Sequence, residues 1–260
     1  MYAGFVGAIV FGKVQTVYSR ANVIFSDICV IRYGPGIMDD TEDLNDEIEE
    51  EEETEEPRPE IRQSILKGAT KKTLPCPVLL FRIANKQSNY PRFGHIVNLT
   101  LDVVSVVERR AAHDDSRMRR QFRNLQIMPQ SVPLFDRMLY VRHVLNADSP
   151  LITIETRKMI QRNHGRWSST YDSYQKIRDT LHFSQINVSL QGVSDTSKST
   201  VYAQTNYDFE EVMVGYKFLD MTFQDPDTKN YFVDFSLINC LTEQVGGGCE
   251  PLKVQNEEPE

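Results

Sequence analysis

The chain has 260 residues and a mass of 30.0 kDa, with 40% hydrophobic and 25% charged residues. This composition is ordinary for a globular protein and provides enough apolar side chains for a real core. No run of 18 apolar residues occurs, which excludes a complete membrane-spanning helix within the sequence. The four cysteines lack C-x-x-C spacing, which argues against a metal site or a disulfide framework and favours a reducing compartment.

The N-terminal residues 1–12 are almost wholly apolar, and the run ends at Lys13. A secretory signal peptide would begin with basic residues, and none precede this run. The run is roughly half of the about 20 residues that span a bilayer. Two interpretations are open: a buried helix of a soluble domain, or the cytoplasmic end of a membrane helix that begins outside this chain. Lys13 and Arg20 would suit the cytoplasmic flank of such a helix.

An acidic segment at residues 39–60 holds fourteen acids and one base. Because the whole chain has a formal net charge of −8, the rest of the chain carries a net +5. Like charges at this density repel each other and cannot bury surface, so we predict a disordered insertion over residues 37–73. The insertion is either a solvated loop or a regulatory segment that competes for a basic surface.

Short β-branched and alternating segments follow one another along the chain, separated by Gly, Pro, Asn, Asp and Ser. They lie at residues 23–32, 77–84, 94–107, 137–145, 182–190, 199–207 and 231–235. Such segments are typical of strands, and the lack of alternating helices favours an antiparallel β-sandwich over an α/β fold. We therefore predict an all-β domain over residues 20–243.

Few segments favour helix. Asp148, Ser149 and Pro150 form a helix start, which predicts a turn or two over residues 151–161, and residues 209–214 suit one short turn. The polar residues 162–181 predict a loop insertion. The Gly-rich and acidic residues 244–260 predict a disordered tail.

A basic cluster of six arginines surrounds a polar stretch. Its members are Arg109, Arg110, Arg117, Arg119, Arg120 and Arg123. Phe122 is the one aromatic residue near it, so base stacking has little support and we expect no nucleic-acid partner. The cluster is either a solvated basic loop or a partner for the acidic insertion of the same assembly.

No motif of a known catalytic site occurs, neither G-x-S-x-G, H-E-x-x-H, a P-loop nor G-x-G-x-x-G. The five histidines have no ligand spacing, and no nucleophile is marked by a motif. We therefore expect no enzyme activity, no catalytic residues, no cofactor and no bound metal.

Several phrases of the sequence resemble, in the same order, the inward-rectifier potassium channel family. They are FGKVQTVYSRANVIFSDICVIR at 11–32, CPVLLFRIANKQSN at 76–89, SVPLFDRMLYVRHVLNADSPL at 131–151, INVSLQGVSDTSKSTVYAQTNY at 186–207, VMVGYKFLDM at 212–221 and YFVDFSLIN at 231–239. The most specific is Asp148-Ser149-Pro150-Leu151 after a strand that contains a histidine. The resemblance covers most of residues 3–240, apart from the insertions near 37–73 and 155–181.

The resemblance implies an immunoglobulin-like β-sandwich with an N-terminal helix stub, which is the end of a pore-lining inner helix and its tether at residues 1–19. Four copies would form a ring that extends the path of potassium ions into the cytosol beneath a membrane. In this comparison Phe11 falls at the bulky gate position of the inner helix, where the alternative is an ordinary helix core residue. Gly192 and Val193 would contribute to a second constriction.

The same resemblance implies that Lys13 and Arg20 hold an anionic phosphoinositide headgroup at the membrane face. The chain departs from the family pattern between them, because VQTVYS lacks the usual run of basic residues. The phosphoinositide is therefore an expected partner with reduced support from the sequence.

The loop 191–195 matches the family's loop that narrows the cytoplasmic pore, where the alternative is a plain turn between strands. Asp195 would supply carboxylates that attract cations, and Gly192 would permit a tight backbone. Gln191 stands where the family has a pore acid, and Ala3 where strong rectifiers have another. Both differences predict weak block by polyamines and hence weak rectification.

The T-x-G-Y-G filter, the outer helix and the pore helix of the family have no counterpart in this sequence. Tyr33 and Gly34 follow the first strand and are not a filter. By this resemblance the chain is the C-terminal half of a channel that would assemble as a homotetramer. The alternative is a soluble β-sandwich adaptor derived from the same fold.

Overall fold

A computed structural model describes residues 20–34, 73–90, 94–111, 114–171, 173–226 and 229–243. Two five-stranded sheets dominate these residues, and a buried apolar core joins them. The prediction of an all-β, sandwich-like fold is confirmed. The expected helix stub and tether at 1–19, the acidic segment and the tail at 244–260 lie outside the described residues.

The first sheet is built around a central strand with every residue buried, β4 (Val78–Asn85). It contains β1 (Val23–Phe25), β2 (Cys29–Arg32), β4, β8 (Met138–Val144) and β12 (Val212–Val214). One edge of β4 pairs with β8, and the other edge pairs with β1 and β2 in succession, all antiparallel. The exception is β12, which adds to β2 in parallel.

The second sheet consists of β5 (Ile96–Ala111), β6 (Asp114–Asn124), β7 (Ser131–Phe135), β10 (Gln185–Ser194) and β11 (Thr200–Asp208). It is antiparallel throughout and follows the order β11-β10-β5, with β6 and β7 sharing the far edge of β5. In β10, the inward Ile186, Val188 and Leu190 are buried while the residues between them are at least partly exposed. This alternation is what a sheet with one solvated face requires.

Three two-stranded sheets complete the strands of the described residues. They are β3 (Thr73–Leu74) with β9 (Trp167–Ser168), β13 (Tyr216–Phe218) with β16 (Leu241–Glu243), and β14 (Thr222–Gln224) with β15 (Tyr231–Val233). The helices are α1 (Ile154–Arg162) and α2 (Tyr174–Asp179), and short 3-10 turns occur at Phe209–Glu211 and Phe235–Leu237.

Two predictions of loops were wrong. The basic cluster forms a long β-hairpin of β5 and β6, in which residues 104–111 pair with 114–124. The expected loop at 162–181 contains β9 and α2, because Trp167 and Ile177 are each 1% exposed and tie this polar stretch to the core. The helix predicted after Pro150 is present, but it begins at Ile154 with Thr153 as its N-cap.

A buried arginine fastens the C-terminal part of the fold to the first sheet. Arg82 of β4 is 0% exposed and donates from Nε to the carbonyl of Ile238 at 2.7 Å and from Nη1 to that of Leu219 at 2.6 Å. Its Nη2 donates to the carbonyl of Leu237. The carbonyl of Leu237 also accepts from the N–H of Cys240 at 2.9 Å, whereas Arg82 is the donor that satisfies the carbonyls of Leu219 and Ile238.

Candidate functional site

Five of the seven predicted site residues are described by the structure. Arg20 precedes β1, while Gln191, Gly192 and Val193 lie in the second half of β10, and Asp195 follows its end. Phe11 and Lys13 lie outside the described residues. The site can therefore be built from Arg20 and residues 191–195.

Gly192 sits at an irregularity in the pairing of β10 with β5. Gln191 pairs with Thr100 and Val193 pairs with Val97, so the strands shift register at the glycine. A Cβ atom on Gly192 would overlap the side chain of Ile96 and come within 3.3 Å of the carbonyl oxygen of Val97. Close approach of the two backbones, rather than a positive φ, therefore requires glycine here.

Both interpretations of residues 191–195, as a pore loop and as a plain turn, expect them to lie outside a strand, but β10 continues to Ser194 and only Asp195 follows it. Gln191 is exposed and lies across from Thr100 and Tyr202 on the outward face of the second sheet. Because side chains alternate along a strand, Val193 shares this face, whereas Gly192 lies on the inner one with Ile96.

The chain reverses just after the strand. Lys198 donates its backbone N–H to the carbonyl of Ser194 at 2.8 Å, and Ser194 donates to the carbonyl of Ser199 at 3.0 Å. Asp195 donates its own N–H to the carbonyl of His95 at 2.9 Å, which ties the turn to the start of β5. The turn is thus held by backbone hydrogen bonds to its own strand and to the neighbouring one.

Lys198 pairs with the carboxylate of Asp195 inside this turn. The hydrogen bond and the positive charge of Lys198 lower the pKa of Asp195, so the carboxylate is ionised but faces a balancing charge. Both side chains are exposed, 75% for Lys198 and 45% for Asp195. The sequence predicts that the carboxylate of Asp195 attracts cations, but in the structure this carboxylate is already paired with the ammonium group of Lys198.

A pocket of about 600 Å³ brings Arg20 together with this turn. Ser194, Thr196 and Ser197 form one wall, and Arg20 and Lys86 contribute its basic groups. The polar remainder includes Asn22, Asn85 and Gln87. Two cations beside hydroxyl and amide groups can bind a phosphate-like anion.

Arg20 is anchored to the second sheet at the mouth of this pocket. It forms an isolated parallel bridge with Tyr202, and Ala21 donates its N–H to the carbonyl of Tyr202 at 2.8 Å. Tyr202 in turn pairs with Gln191 across β10 and β11. The backbone at Arg20 is therefore two strands away from the backbone of Gln191.

Sequence reasoning missed Lys86 and Lys198. Lys86 follows β4 in the turn NKQSN, and its backbone N–H donates to the carbonyl of Asn22 at 3.0 Å. The three-residue spacing of Asp195 and Lys198 was a visible signal for their ion pair, whereas nothing local in the sequence relates Lys86 to Arg20.

Within the ranges that the structure describes, no group of three or more His, Cys, Asp or Glu residues could hold a metal ion. Cys29, Cys76 and Cys240 are free thiols, and burial raises the pKa of Cys29 well above its usual value. Among the described helices, none combines the length and apolar character needed to cross a bilayer. No protein-family model matches the chain, and no curated protein sequence matches it significantly.

Proposed function

We propose that this chain forms the cytoplasmic gating domain of an inward-rectifier-type potassium channel. In this role it lines the cytosolic part of the ion pathway and couples lipid or ligand binding to the gate. The ordered series of phrases resembling that family supports the proposal, and the sandwich fold is compatible with it. The domain would lie on the cytoplasmic side of a membrane and assemble as a homotetramer.

The observation that carries the proposal is the pocket shared by Arg20, Lys86 and the turn after β10. A phosphoinositide phosphate bound by the two cations would also contact the pocket wall that Ser194, Thr196 and Ser197 form. A shift of that turn is transmitted to β5 through the hydrogen bond from Asp195 to His95. Headgroup binding would thereby bias the constriction around Gly192 and Val193, provided that it favours one of two positions of the loop.

The electrostatics of the loop support weak rectification in the proposed channel. Gln191 adds no charge, and Lys198 balances Asp195. A ring of four such loops would attract polyvalent cations less than a ring of unpaired carboxylates would. Polyamine block from the cytosolic side is expected to be correspondingly weak.

Flotation with vesicles tests the lipid part of this proposal on the full chain. Vesicles of phosphatidylcholine with 5 mol% phosphatidylinositol 4,5-bisphosphate, at roughly 0.1 M salt, should retain the protein, whereas pure phosphatidylcholine should retain less. Arg20→Gln and Lys86→Gln should each weaken binding about fivefold, since one basic residue near an anionic surface contributes roughly 1 kcal/mol. Arg162→Gln, at the exposed end of α1, is the matched control.

Equal retention of all variants would overturn the assignment of the pocket. Native mass spectrometry of the full chain tests the assembly. The proposal expects a tetramer whose fraction increases with protein concentration. A monomer at every concentration, together with no preference for the phosphoinositide, would overturn the channel function itself.

The second candidate is a soluble β-sandwich adaptor. Phe223 and Phe232 favour it, because these facing residues of β14 and β15 are 39% and 43% exposed with ring centroids 5.7 Å apart. An exposed aromatic pair is typical of a surface that binds another protein. A monomer that ignores anionic vesicles would favour the adaptor.

A further inference from the structure

One face of the first sheet packs on the core, and we call the opposite face its outer face. In β4, Phe81 points to the core, since its ring centroid lies 5.5 Å from that of Tyr207 in the second sheet. Because side chains alternate along a strand, Val78, Leu80 and Arg82 share the outer face. This face therefore carries both apolar and cationic side chains.

A cavity of about 400 Å³ lies on this outer face. The C-terminal part of the fold covers the face at Arg82, whereas Val78 and Leu80 form the floor of the cavity. Val144 of β8 pairs with Val78 and extends this floor, and Ile127 adds a further apolar group to the lining. The volume falls within the range of roughly 300–1,000 Å³ that is typical of small-molecule sites.

Two arginines flank the apolar floor. Arg32 of β2 pairs with Val78, and Arg142 of β8 pairs with Leu80, so both arginines share the outer face with the floor. Both line the cavity, and Arg32 is only 8% exposed. Arg142 forms no ion pair with any described residue. Asp148 is the acid among the described lining residues, so two guanidinium groups leave the cavity with an excess of positive charge.

The side walls of the cavity are held together by His143, which is buried. Its Nδ1 donates to the carbonyl of Gln126 at 2.7 Å, and its Nε2 accepts from the hydroxyl of Ser149 at 2.8 Å. These two residues belong to the segments 124–128 and 146–150, which both line the cavity. The fold thus forms the cavity in advance, and preorganisation of this kind lowers the cost of binding a ligand.

We infer that this cavity binds a small aliphatic carboxylate. Its carboxylate would lie between Arg32 and Arg142, and its chain would lie on the floor of Val78, Leu80 and Val144. A guanidinium can bind a carboxylate through two parallel hydrogen bonds, whereas burial of the chain removes apolar surface from water. The site requires neither a tetramer nor a phosphoinositide, so it is separate from the proposed channel function.

Isothermal titration calorimetry of the full chain with sodium octanoate tests this site. Octanoate should bind saturably, with one molecule per chain. Octan-1-ol keeps the chain but lacks the charge, and acetate keeps the charge but lacks the chain. Each should bind about tenfold more weakly than octanoate or worse, because each loses one of the two interactions.

Variants of β8 assign the binding to the cavity. Arg142→Gln should weaken octanoate binding about tenfold, and Arg142→Lys, which retains the charge but not the planar fork, should restore part of it. Val144→Phe should also weaken binding, because the larger ring fills the cavity without a change of charge. Arg162→Gln, on the exposed last turn of α1, is the control and should bind octanoate like the wild type. Circular dichroism confirms that each variant is folded.

Nuclear Overhauser contacts in the wild-type protein locate the ligand without any substitution. The methylene protons of octanoate should show contacts with the methyl groups of Val78 and Leu80. Contacts only with methyl groups outside the cavity would overturn the assignment of the site.

Three calorimetric outcomes would also overturn the inference. Equal affinities for octan-1-ol and octanoate would mean that the carboxylate is not recognised. Equal affinities of the Arg142→Gln and Arg162→Gln variants would mean that octanoate binds elsewhere, and heat that never saturates would mean that the chain only partitions onto apolar surface. A failure of vesicle binding would leave these results unaffected, so the two proposals fail separately.

Discussion

The guanidinium of Arg82 lies 4.4 Å above the centre of the Phe218 ring while it donates hydrogen bonds to the backbone of residues 219, 237 and 238. The cation–π contact and the hydrogen bonds together hold the segment 218–238 against β4. Burial lowers the pKa of Arg82, but an arginine remains protonated in this setting.

Replacement of Arg82 by Met should destabilise the fold by about 3–5 kcal/mol, because the carbonyls of Leu219 and Ile238 lose their donor and that of Leu237 loses one of two. Arg82→Lys should recover only part of the loss, since one ammonium cannot reproduce the planar fork. Urea unfolding followed by circular dichroism measures both. Arg142→Met, on the neighbouring strand β8 and partly exposed, is the control and should cost less.

Gly192→Ala should destabilise the protein by about 1–3 kcal/mol, because its Cβ would push Ile96 and the backbone of β5 away. Gly165→Ala is a useful comparison. It has φ of +84° but nothing within 4 Å of the added Cβ, so its cost of about 1 kcal/mol arises from backbone strain alone. Thermal unfolding measures the destabilisation of the two variants. NMR spectra distinguish their causes, because only the Gly192 variant should also show exchange broadening in β5 and β10. An alanine at 192 without these effects would contradict the packing argument.

His143 makes stability depend on pH. Its Nδ1 lies 2.7 Å from the carbonyl of Gln126 and must donate to it, so Nε2 accepts from the hydroxyl of Ser149 at 2.8 Å. Burial lowers the pKa of His143 below its ordinary value of about 6.5. As the pH falls below about 6.5, the unfolded chain binds a proton that the folded chain resists, and stability is lost.

The urea midpoint should therefore decrease when the pH is lowered from 7.5 to 5.5. The His143→Gln variant should show a smaller decrease, although this variant is less stable than the wild type at pH 7.5. His164→Asn is the matched control, because the exposed His164 has a φ of +55° that Asn tolerates. A pH dependence of the His143 variant equal to that of the wild type would contradict the assignment.

Lys198→Gln should raise the pKa of Asp195 towards its ordinary value, because the two largest causes that lower it, a hydrogen bond and a positive charge, come from Lys198, and only a smaller one comes from His95. Carboxyl-carbon NMR titration of the full chain measures the shift. Lys229→Gln is closely matched, since Lys229 has a φ of +56° against +52° for Lys198 and also follows a turn. An Asp195 titration that is unchanged by the Lys198 substitution would mean that the pair does not form in solution.

The sequence by itself determined the all-β class, because alternation of apolar residues in segments such as 182–190 reflects a local period that needs no tertiary information. It placed both Gly192 and Asp195 in a loop after a strand that ends at 190, which is right for Asp195, whereas Gly192 lies within β10. The acidic segment and the arginine cluster were equally visible, because charge density is a property of composition.

Tertiary structure alone decided which of these features meet. Arg20 and Lys86 are 66 residues apart in the sequence, and only the pairing of β1 with β4 makes them neighbours of one pocket. The basic loop became a hairpin because the long strand β5 already pairs with β10 and supplies a template for β6. Trp167 ordered a polar stretch through its burial and its hydrogen bond to the carbonyl of Leu145. Such long-range contacts depend on how the sheets close over the core, and no local pattern of residues encodes that geometry.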